Sequence, residues 1–395
     1  MCPGDRVCGL LLGIVVILSA CNRDLRGNKA QMTQQQQPVS SAEVESVVRE
    51  GPAWKAKTWR LRADRDLVAI ESLGNSTLWI ADSNHTLSKT TNDAESWLPV
   101  NLEVPHETKI IAIDFVDSLL GWAITTTTPR DVLDAQGLES SIWKTNDGGL
   151  HWQVQFTGKA LSLTRVVLVN SQEGWVIGSK LIRRETLVNE DIVLRTTDQG
   201  QHWTDVSGVL NQSGAGGGVE DIYSRGSSRA VILTAAKEIF GTEDGGLNWL
   251  SMGRVPDEPL QTSAFRIGML PNNHIWVLGA TGGREGTWSM LAVRRDRNDW
   301  VKYKTYDVLL RDSIFLSDLE VVACGTIPSN NGVPLPDDSQ RVGVILRSTD
   351  GGLNWTIIYR DPRAKSINAL SVEPSGSIWA VGEAGLVIRL DPIGQ

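Results

Sequence analysis

Short apolar runs alternate with glycine- and aspartate-rich turns from about residue 54 to the end of the sequence. The unit around Trp175 shows the pattern clearly. Leu163–Val169 is an apolar run, and after a tight turn Trp175–Gly178 is a second one. A longer connection leads to Ile192–Thr197, which alternates as a strand does, and a further turn leads to Trp203 and a fourth run. The pattern predicts four antiparallel strands per unit, the blade of a β-propeller.

The turn between the third and fourth runs carries a repeated motif: Ser or Thr, any residue, Asp, any residue, Gly, two residues and Trp. Its copies are Thr145–Trp152, Thr196–Trp203, Thr242–Trp249 and Ser348–Trp355. The Asp can accept backbone N–H bonds within its own turn, the Gly can take a positive φ, and the Trp can pack on neighbouring strands. We therefore predict a structural role, and no catalysis or metal binding, for Asp147, Trp152, Asp198, Trp203, Asp244, Trp249, Asp350 and Trp355.

The number of blades follows from two series of tryptophans. The final Trp of each unit is found at Trp97, Trp152, Trp203, Trp249, Trp300 and Trp355, with the rest of the motif degenerate before Trp97 and Trp300. The second run is marked by Trp79, Trp122, Trp175, Trp276 and Trp379, and by Val231 and Val322 in the fourth and sixth units. Ile367–Leu390 holds three runs without a fourth, and Trp59–Arg62 resembles a fourth run without the first three. Joining them closes a ring and removes two sheet edges. The fold class is therefore all-β, a seven-bladed propeller; six or eight blades would follow if the fifth unit is misread.

The N-terminal segment resembles an export and anchoring signal. Leu10–Leu18 is an apolar run too short to span a bilayer, and Leu18-Ser19-Ala20-Cys21 resembles the lipobox of bacterial lipoproteins. The resemblance implies cleavage of residues 1–20 and lipidation of Cys21; the alternatives are an ordinary signal peptide or an uncleaved anchor. Residues 21–52 are polar and predict a flexible tether with a short helical turn in Ser41–Arg49. The propeller is expected over residues 53–395.

Composition limits the ligands and the kinds of site that the chain is expected to have. The net charge of -8 and a pI near 5.3 argue against a general nucleic-acid binder, which usually has a basic face. After cleavage and lipidation Cys324 would be the one remaining thiol, so we expect neither an internal disulfide nor a cysteine-rich metal site. Cys324 lies in an apolar run and is predicted to be buried and inert. We expect no cofactor and no metal.

The longest insertions are expected on one face. They fall between the second and third runs of their units, at residues 125–140, 179–190, 280–288 and 326–341. Because successive turns alternate between the faces of a propeller, this loop face is opposite the motif. Loops on a rigid scaffold often bind partners, although tolerated insertions would look the same. Candidate contacts are Arg130, Arg183, Arg184, Arg284, Asp337 and Asp338.

The motif resembles the Asp-box of neuraminidase-type repeats, which raises the possibility of a hydrolase. Phe265-Arg266-Ile267-Gly268 resembles a sialidase motif but lacks its Pro and lies in the fifth unit. Tyr223 has Glu220 and Asp221 nearby but fits a strand better than a nucleophile. Xyloglucanases with Asp-boxes use two propellers, whereas this chain has one. We expect no enzymatic activity, and keep a sialidase-like or xyloglucanase-like glycan hydrolase as the alternative.

The repeat unit as a whole carries a more specific resemblance. Phe115–Ala123 followed by Trp143–Gly149, and Gly174–Gly178 followed by Arg195–Asp198, are similar to the photosystem II assembly/stability factor family of propellers. That family implies a non-enzymatic scaffold acting on new reaction-centre subunits in the thylakoid lumen. We therefore expect a monomeric extracytoplasmic lipoprotein, on the periplasmic side of a bacterial membrane or in the thylakoid lumen, that binds membrane or envelope proteins and no nucleic acid.

Overall fold

The computed structural model describes residues 40–392, apart from residues 46, 52–53, 62–63, 101, 103, 105–107, 128–136, 184–187, 209, 211–217, 257–262, 284–285, 297–298, 307 and 329–340. Over these residues thirty strands form seven sheets. Six blades take four consecutive strands each, and the seventh takes the last three strands of the chain and one early strand. The predicted seven-bladed, all-β propeller is confirmed.

The strands are as follows. Three precede the first complete blade: β1 (Ser40–Glu45), β2 (Val47–Glu50) and β3 (Lys55–Arg60). Blade one comprises β4 (Leu67–Ser72), β5 (Leu78–Asp82), β6 (Leu87–Thr90) and β7 (Leu98–Val100). Blade two comprises β8 (Thr108–Phe115), β9 (Gly121–Thr127), β10 (Glu139–Thr145) and β11 (Gln153–Lys159). Blade three comprises β12 (Leu161–Leu168), β13 (Gly174–Arg183), β14 (Val188–Thr196) and β15 (Thr204–Asp205). Blade four comprises β16 (Val219–Arg225), β17 (Arg229–Thr234), β18 (Glu238–Thr242) and β19 (Leu250–Arg254).

The remaining blades follow the same order. Blade five comprises β20 (Ser263–Met269), β21 (Ile275–Gly283), β22 (Gly286–Asp296) and β23 (Asp299–Tyr306). Blade six comprises β24 (Leu309–Phe315), β25 (Val321–Pro328), β26 (Arg341–Ser348) and β27 (Asn354–Asp361). Blade seven comprises β28 (Ile367–Val372), β29 (Ile378–Gly382), β30 (Leu386–Asp391) and β3.

The ring closes as the sequence predicts. β3 pairs antiparallel with β30 and supplies the fourth strand of blade seven. Trp59 on β3 stacks on Trp379 of β29, with ring centroids 5.6 Å apart. The expected closing run Trp59–Arg62 is shifted toward the N-terminus, since the strand begins at Lys55 and ends at Arg60. Blade seven is therefore held by hydrogen bonds between the two ends of the chain.

The segment before the closing strand differs from the expectation. β1 pairs parallel with β23 of blade five, and β2 pairs parallel with β27 of blade six. The helical turn expected in Ser41–Arg49 is wrong, because these residues pair with the outer edges of two blades, whose N–H and C=O groups accept another strand. The tether expected over residues 21–52 thus includes two strands, while the bounds of the signal peptide remain predictions outside the described residues.

The core lies between the blades and is built mainly from second strands. β5 and β29 are buried along their whole length. The indoles of Trp79, Trp122, Trp175 and Trp379 are at most 1% exposed. These four tryptophans are markers that the sequence places at the same point of their units, so the repeat positions an indole in the packed layer of each of these four blades.

Two of the four expected long loops are largely extended hairpin. β13 and β14 continue pairing to Arg183 and Val188, and β21 and β22 to Gly283 and Gly286. Antiparallel neighbours satisfy each other's backbone groups past the edge of the blade, so insertion lengthens the strands. Residues 128–136 and 329–340 of the other two lie outside the described residues. Among those described, no helix combines the length and apolar character needed to cross a membrane.

Candidate functional site

Each intact Asp-box forms the same local hydrogen-bonded turn. In blade two the Thr145 hydroxyl donates to Asp147 Oδ1 at 2.9 Å, and the Gly149 N–H donates to Thr145 Oγ1 at 2.8 Å. The His151 N–H donates to Asp147 Oδ1 at 2.9 Å. The same three bonds recur in the turns headed by Thr196, Thr242 and Ser348. Each Asp is thus an acceptor inside its own turn.

The electrostatics of these turns agree with that role. Hydrogen bonds from the backbone N–H of His151 and then from its ring lower the pKa of Asp147 to about 2. His202 lowers the pKa of Asp198 to about 2 in the same order. These carboxylates stay ionised under ordinary conditions, so they are poor candidates for general acids or bases.

The structure also fixes the face on which the motif lies. The Gly148 N–H donates to the Leu119 carbonyl, and the Gly245 N–H donates to the Ser228 carbonyl, both at 2.8 Å. Leu119 and Ser228 lie in the turns between the first and second strands of their own blades. These turns and the Asp-box turns between the third and fourth strands therefore share one face, here called the motif face. The second-to-third connections are at the opposite ends of the same strands, on the loop face.

Of the candidate contacts, the structure places only the backbone of Arg183. It ends β13 and is paired with Val188 at the start of β14, on the loop face. Arg130, Arg184, Arg284, Asp337 and Asp338 lie outside the described residues, as does Cys21. Their proposed roles remain predictions.

A central channel brings together charged groups that sequence reasoning did not assign to one site. The inner strands of the blades line a cavity of about 510 Å³. Its charged lining includes Glu71, Asp114, Arg165, Glu220, Arg266 and Asp312. Every first strand has a register shift, and in blades three to six the residue just after it is Arg165, Asp221, Arg266 and Asp312 in turn. A charged residue within the inner strands of blades one to six was the available signal.

The channel carboxylates connect neighbouring blades. Glu71 Oε1 accepts the Phe115 N–H at 3.0 Å, and Asp114 Oδ2 accepts the Leu168 N–H at 2.6 Å. Farther around the ring, Asp221 accepts the Ile267 N–H at 2.8 Å and Asp312 accepts the Leu370 N–H at 3.1 Å. In every case the N–H belongs to the next blade, so these side chains join blades at the axis.

The channel carboxylates differ in whether a cation is paired with them. Arg165 Nη1 lies 2.6 Å from Asp221 Oδ1, which pairs blades three and four. Between blades one and two, Glu71 and Asp114 adjoin without a bonded cation among the contacts described. Burial and then the Asp114 charge raise the pKa of Glu71 well above its usual value. Burial raises the pKa of Asp114 to about 6, against the lowering effect of the Leu168 N–H.

Comparison with known proteins bears directly on the expected resemblance. Residues 90–258 match the family described as Photosynthesis system II assembly factor YCF48. A curated relative, Photosystem II assembly lipoprotein Ycf48 of Synechococcus sp. (strain CC9902), is 22% identical over 332 residues, which are 76% of this chain and 89% of the relative. The chain is similar to the YCF48 assembly factors. The resemblance inferred from the repeat unit is thereby confirmed.

Solved structures give the same fold. The structure described as YCF48 bound to D1 peptide has a TM-score of 0.58 and 15% identity, covering 86% of this chain and 98% of that one. YCF48 from Cyanidioschyzon merolae has a TM-score of 0.55 and 14% identity, covering 85% and 98%. At such identities the likeness to the YCF48 structures shows the propeller fold alone.

Proposed function

We propose that this protein is a non-enzymatic, lipid-anchored extracytoplasmic scaffold that binds a membrane protein, in the manner of a photosystem II assembly factor. The observation that carries the proposal is the similarity to the Ycf48 assembly lipoprotein over 76% of the chain. A YCF48 propeller of the same fold is described as bound to a D1 peptide, which makes a polypeptide segment the natural class of ligand. We further propose a monomer, with Cys21 as the anchor.

The binding surface is proposed to be the loop face. The Asp-box carboxylates are engaged in their own turns on the other face, and four carboxylates in or beside the channel, Glu71, Asp114, Asp221 and Asp312, each accept a backbone N–H of the next blade. Engaged acceptors of this kind hold a scaffold together and offer little for glycan hydrolysis, which needs a carboxylic acid and a carboxylate facing the scissile bond. The hydrolase alternative is not favoured.

Affinity purification of the full-length protein from its native membrane tests the proposal. We expect a membrane protein to be recovered with the wild type and lost with the charge reversals Arg183→Glu, Arg184→Glu, Asp337→Lys and Asp338→Lys combined. The matched control is Glu95→Lys, an exposed charge in a turn on the motif face. Cys21→Ser should release the protein from the membrane fraction without unfolding it.

The contrary outcomes are distinct. Recovery of no membrane or envelope protein, together with turnover of glycans by the purified chain, would replace the scaffold with a hydrolase. Equal loss of the partner with Glu95→Lys would move the binding surface off the loop face. Retention of Cys21→Ser in the membrane would remove the lipid anchor from the proposal.

A further inference from the structure

The indole of the second strand has a recurring set of neighbours in blades one, two and three. In blade one, Trp79 stacks on Phe115 of blade two, with ring centroids 4.2 Å apart, and Lys89 Nζ lies 5.1 Å from its ring centroid. Gly149 in the Asp-box of blade two lies against the edge of the six-membered ring. Lys144 and Arg195 lie over Trp122 and Trp175 in the same way. An indole, a cation on the paired third strand and the next blade's Asp-box therefore form one packing unit.

Blade six lacks its own indole but has one supplied from elsewhere in the chain. Val322 occupies the second-strand position there, and Trp54, from the segment before β3, packs against the cluster that contains Val322. Arg347 is the residue paired with Val322, and its guanidinium lies 5.7 Å from the Trp54 ring centroid. An indole from outside a blade thus packs where the blade provides only valine.

Blade four lacks its indole as well, and the structure has a cavity there. Val231 is paired with Gly241, as Trp79 is paired with Lys89, so both the indole and the cation are missing. The Asp-box of blade five, which would cover the ring, is the degenerate one before Trp300. A cavity of about 290 Å³ lies between blades four and five and is lined by Val231 and Gly241.

The rest of the lining corresponds to the groups that surround an indole elsewhere. Met269 ends the first strand of blade five, as Phe115 does in blade two. Arg294 pairs with Ile275 at the start of the second strand, as Thr145 pairs with Gly121 in blade two. Met252 and Leu250 complete the apolar part, and Leu250 is 69% exposed at the surface. Arg229 and Glu243 also line the cavity and pair with each other at 2.8 Å.

We propose that this cavity, here called the blade-four pocket, binds an aromatic side chain presented by a partner polypeptide. A ring of indole size buries roughly 150–250 Å² of its surface in such a site. The Met252 and Met269 thioethers suit an aromatic ring. The pocket adjoins the motif face, so this site is separate from the loop face of the proposed function.

Binding of a small probe to the full-length chain tests the pocket directly. N-acetyl-L-tryptophanamide, followed by saturation-transfer NMR, should bind saturably to the wild type. Val231→Trp restores the indole found in five other blades and should abolish that binding. Val231→Ile, which leaves most of the cavity, is the matched control and should retain it. Should Val231→Trp fail to fold, Gly241→Lys fills the pocket with the side chain that Lys89 and Lys144 provide in blades one and two, displacing the flexible Met252.

Each possible result of these binding experiments leads to a different conclusion. Absence of saturable binding to the wild type overturns the proposal and indicates a pocket filled by the chain itself. Binding that survives both filling variants places the probe elsewhere and also overturns it. A wild-type dimer in sedimentation that Val231→Trp converts to a monomer would make a second copy the occupant in place of a partner. None of these results depends on the loop-face reversals, so the two proposals fail independently.

Discussion

The edge of the six-membered ring of Trp79 in blade one lies against Gly149 in the Asp-box of blade two. A Cβ added at Gly149 would come within 2.4 Å of the Trp79 ring, and the backbone there has a φ of 86°. The Asp-box thus has two functions, since it closes its own turn and covers the indole of the preceding blade. This contact between blades explains why the glycine recurs with the tryptophan.

Gly149→Ala should destabilise the propeller by about 2–5 kcal/mol, because the new methyl group overlaps the Trp79 ring and the residue must keep a left-handed backbone. Urea unfolding measures the loss. Gly74→Ala is the matched control, since its φ is 70° but nothing lies within 4 Å of the added Cβ. The control should lose only about 1 kcal/mol. Equal losses in the two variants would mean that contact with Trp79 contributes nothing.

The final tryptophans of the Asp-boxes are not equivalent. Trp355 is 1% exposed and lies in the core between blades five and six, whereas Trp203 is only partly buried. Trp355→Ala should therefore cost about 3–5 kcal/mol, the range for a fully buried aromatic ring, and Trp203→Ala clearly less. Thermal unfolding of both variants checks the order. A larger loss for Trp203→Ala would contradict the burial argument.

Sequence periodicity predicted the blades because a second-strand tryptophan recurs in five units and an intact turn motif in four. It predicted the closing strand because three runs at one end and one at the other complete a blade. It could not predict β1 and β2, whose polar residues pair through the backbone with outer edges that only the folded blades present. It also missed the channel, because Asp114 and Arg165 are brought together by the ring and not by spacing in the chain. The contacts of the loop face depend on conformations that spacing does not determine.

The adjoining carboxyls Glu71 and Asp114 should make stability depend on pH. Burial raises the pKa of Asp114 to about 6 and that of Glu71 well above its usual value, whereas unfolded chains titrate near 4. Between these pKa values the folded state holds more protons than the unfolded state. The carboxyl pair therefore contributes to the free energy of unfolding at low pH, and this contribution is lost as the pH rises through 6. Glu71→Gln keeps an acceptor for the Phe115 N–H and removes one charge. It should raise the stability at pH 7 toward the stability at pH 5.

Unfolding between pH 5 and pH 7.5 measures this effect. The gain in stability on acidification should shrink in Glu71→Gln and persist in Glu95→Gln, an exposed control. Asp147 and Asp198 act in the opposite sense, because their lowered pKa values remove stability only as pH falls below about 4, outside this window. An unchanged pH profile in Glu71→Gln would show that the carboxyl pair is not the source.

The thiol of Cys324 should be inert in the native protein. It is fully buried on β25, and burial raises its pKa well above the usual value. The thiolate is the reactive form, so a thiol reagent should modify Cys324 only in denaturant. Rapid labelling of the native protein would contradict this burial. Cys324→Ala should then cost stability through lost packing alone and leave partner binding unchanged.

Truncation from the N-terminus should separate the edge strands from the closing strand. Removal of residues 1–50 deletes β1 and β2, the parallel strands on the outer edges of blades five and six. The four strands of each of these blades remain. Removal of residues 1–60 also deletes β3, so that β30 loses its partner and Trp379 loses the stacked ring of Trp59. An unpaired edge at the closure of the ring invites pairing with other chains. The shorter deletion should therefore give a folded monomer of moderately lower Tm, and the longer one an aggregating or unfolded chain. Size-exclusion chromatography with thermal unfolding distinguishes them, and a soluble, cooperative propeller lacking residues 1–60 would show that β3 does not close the ring.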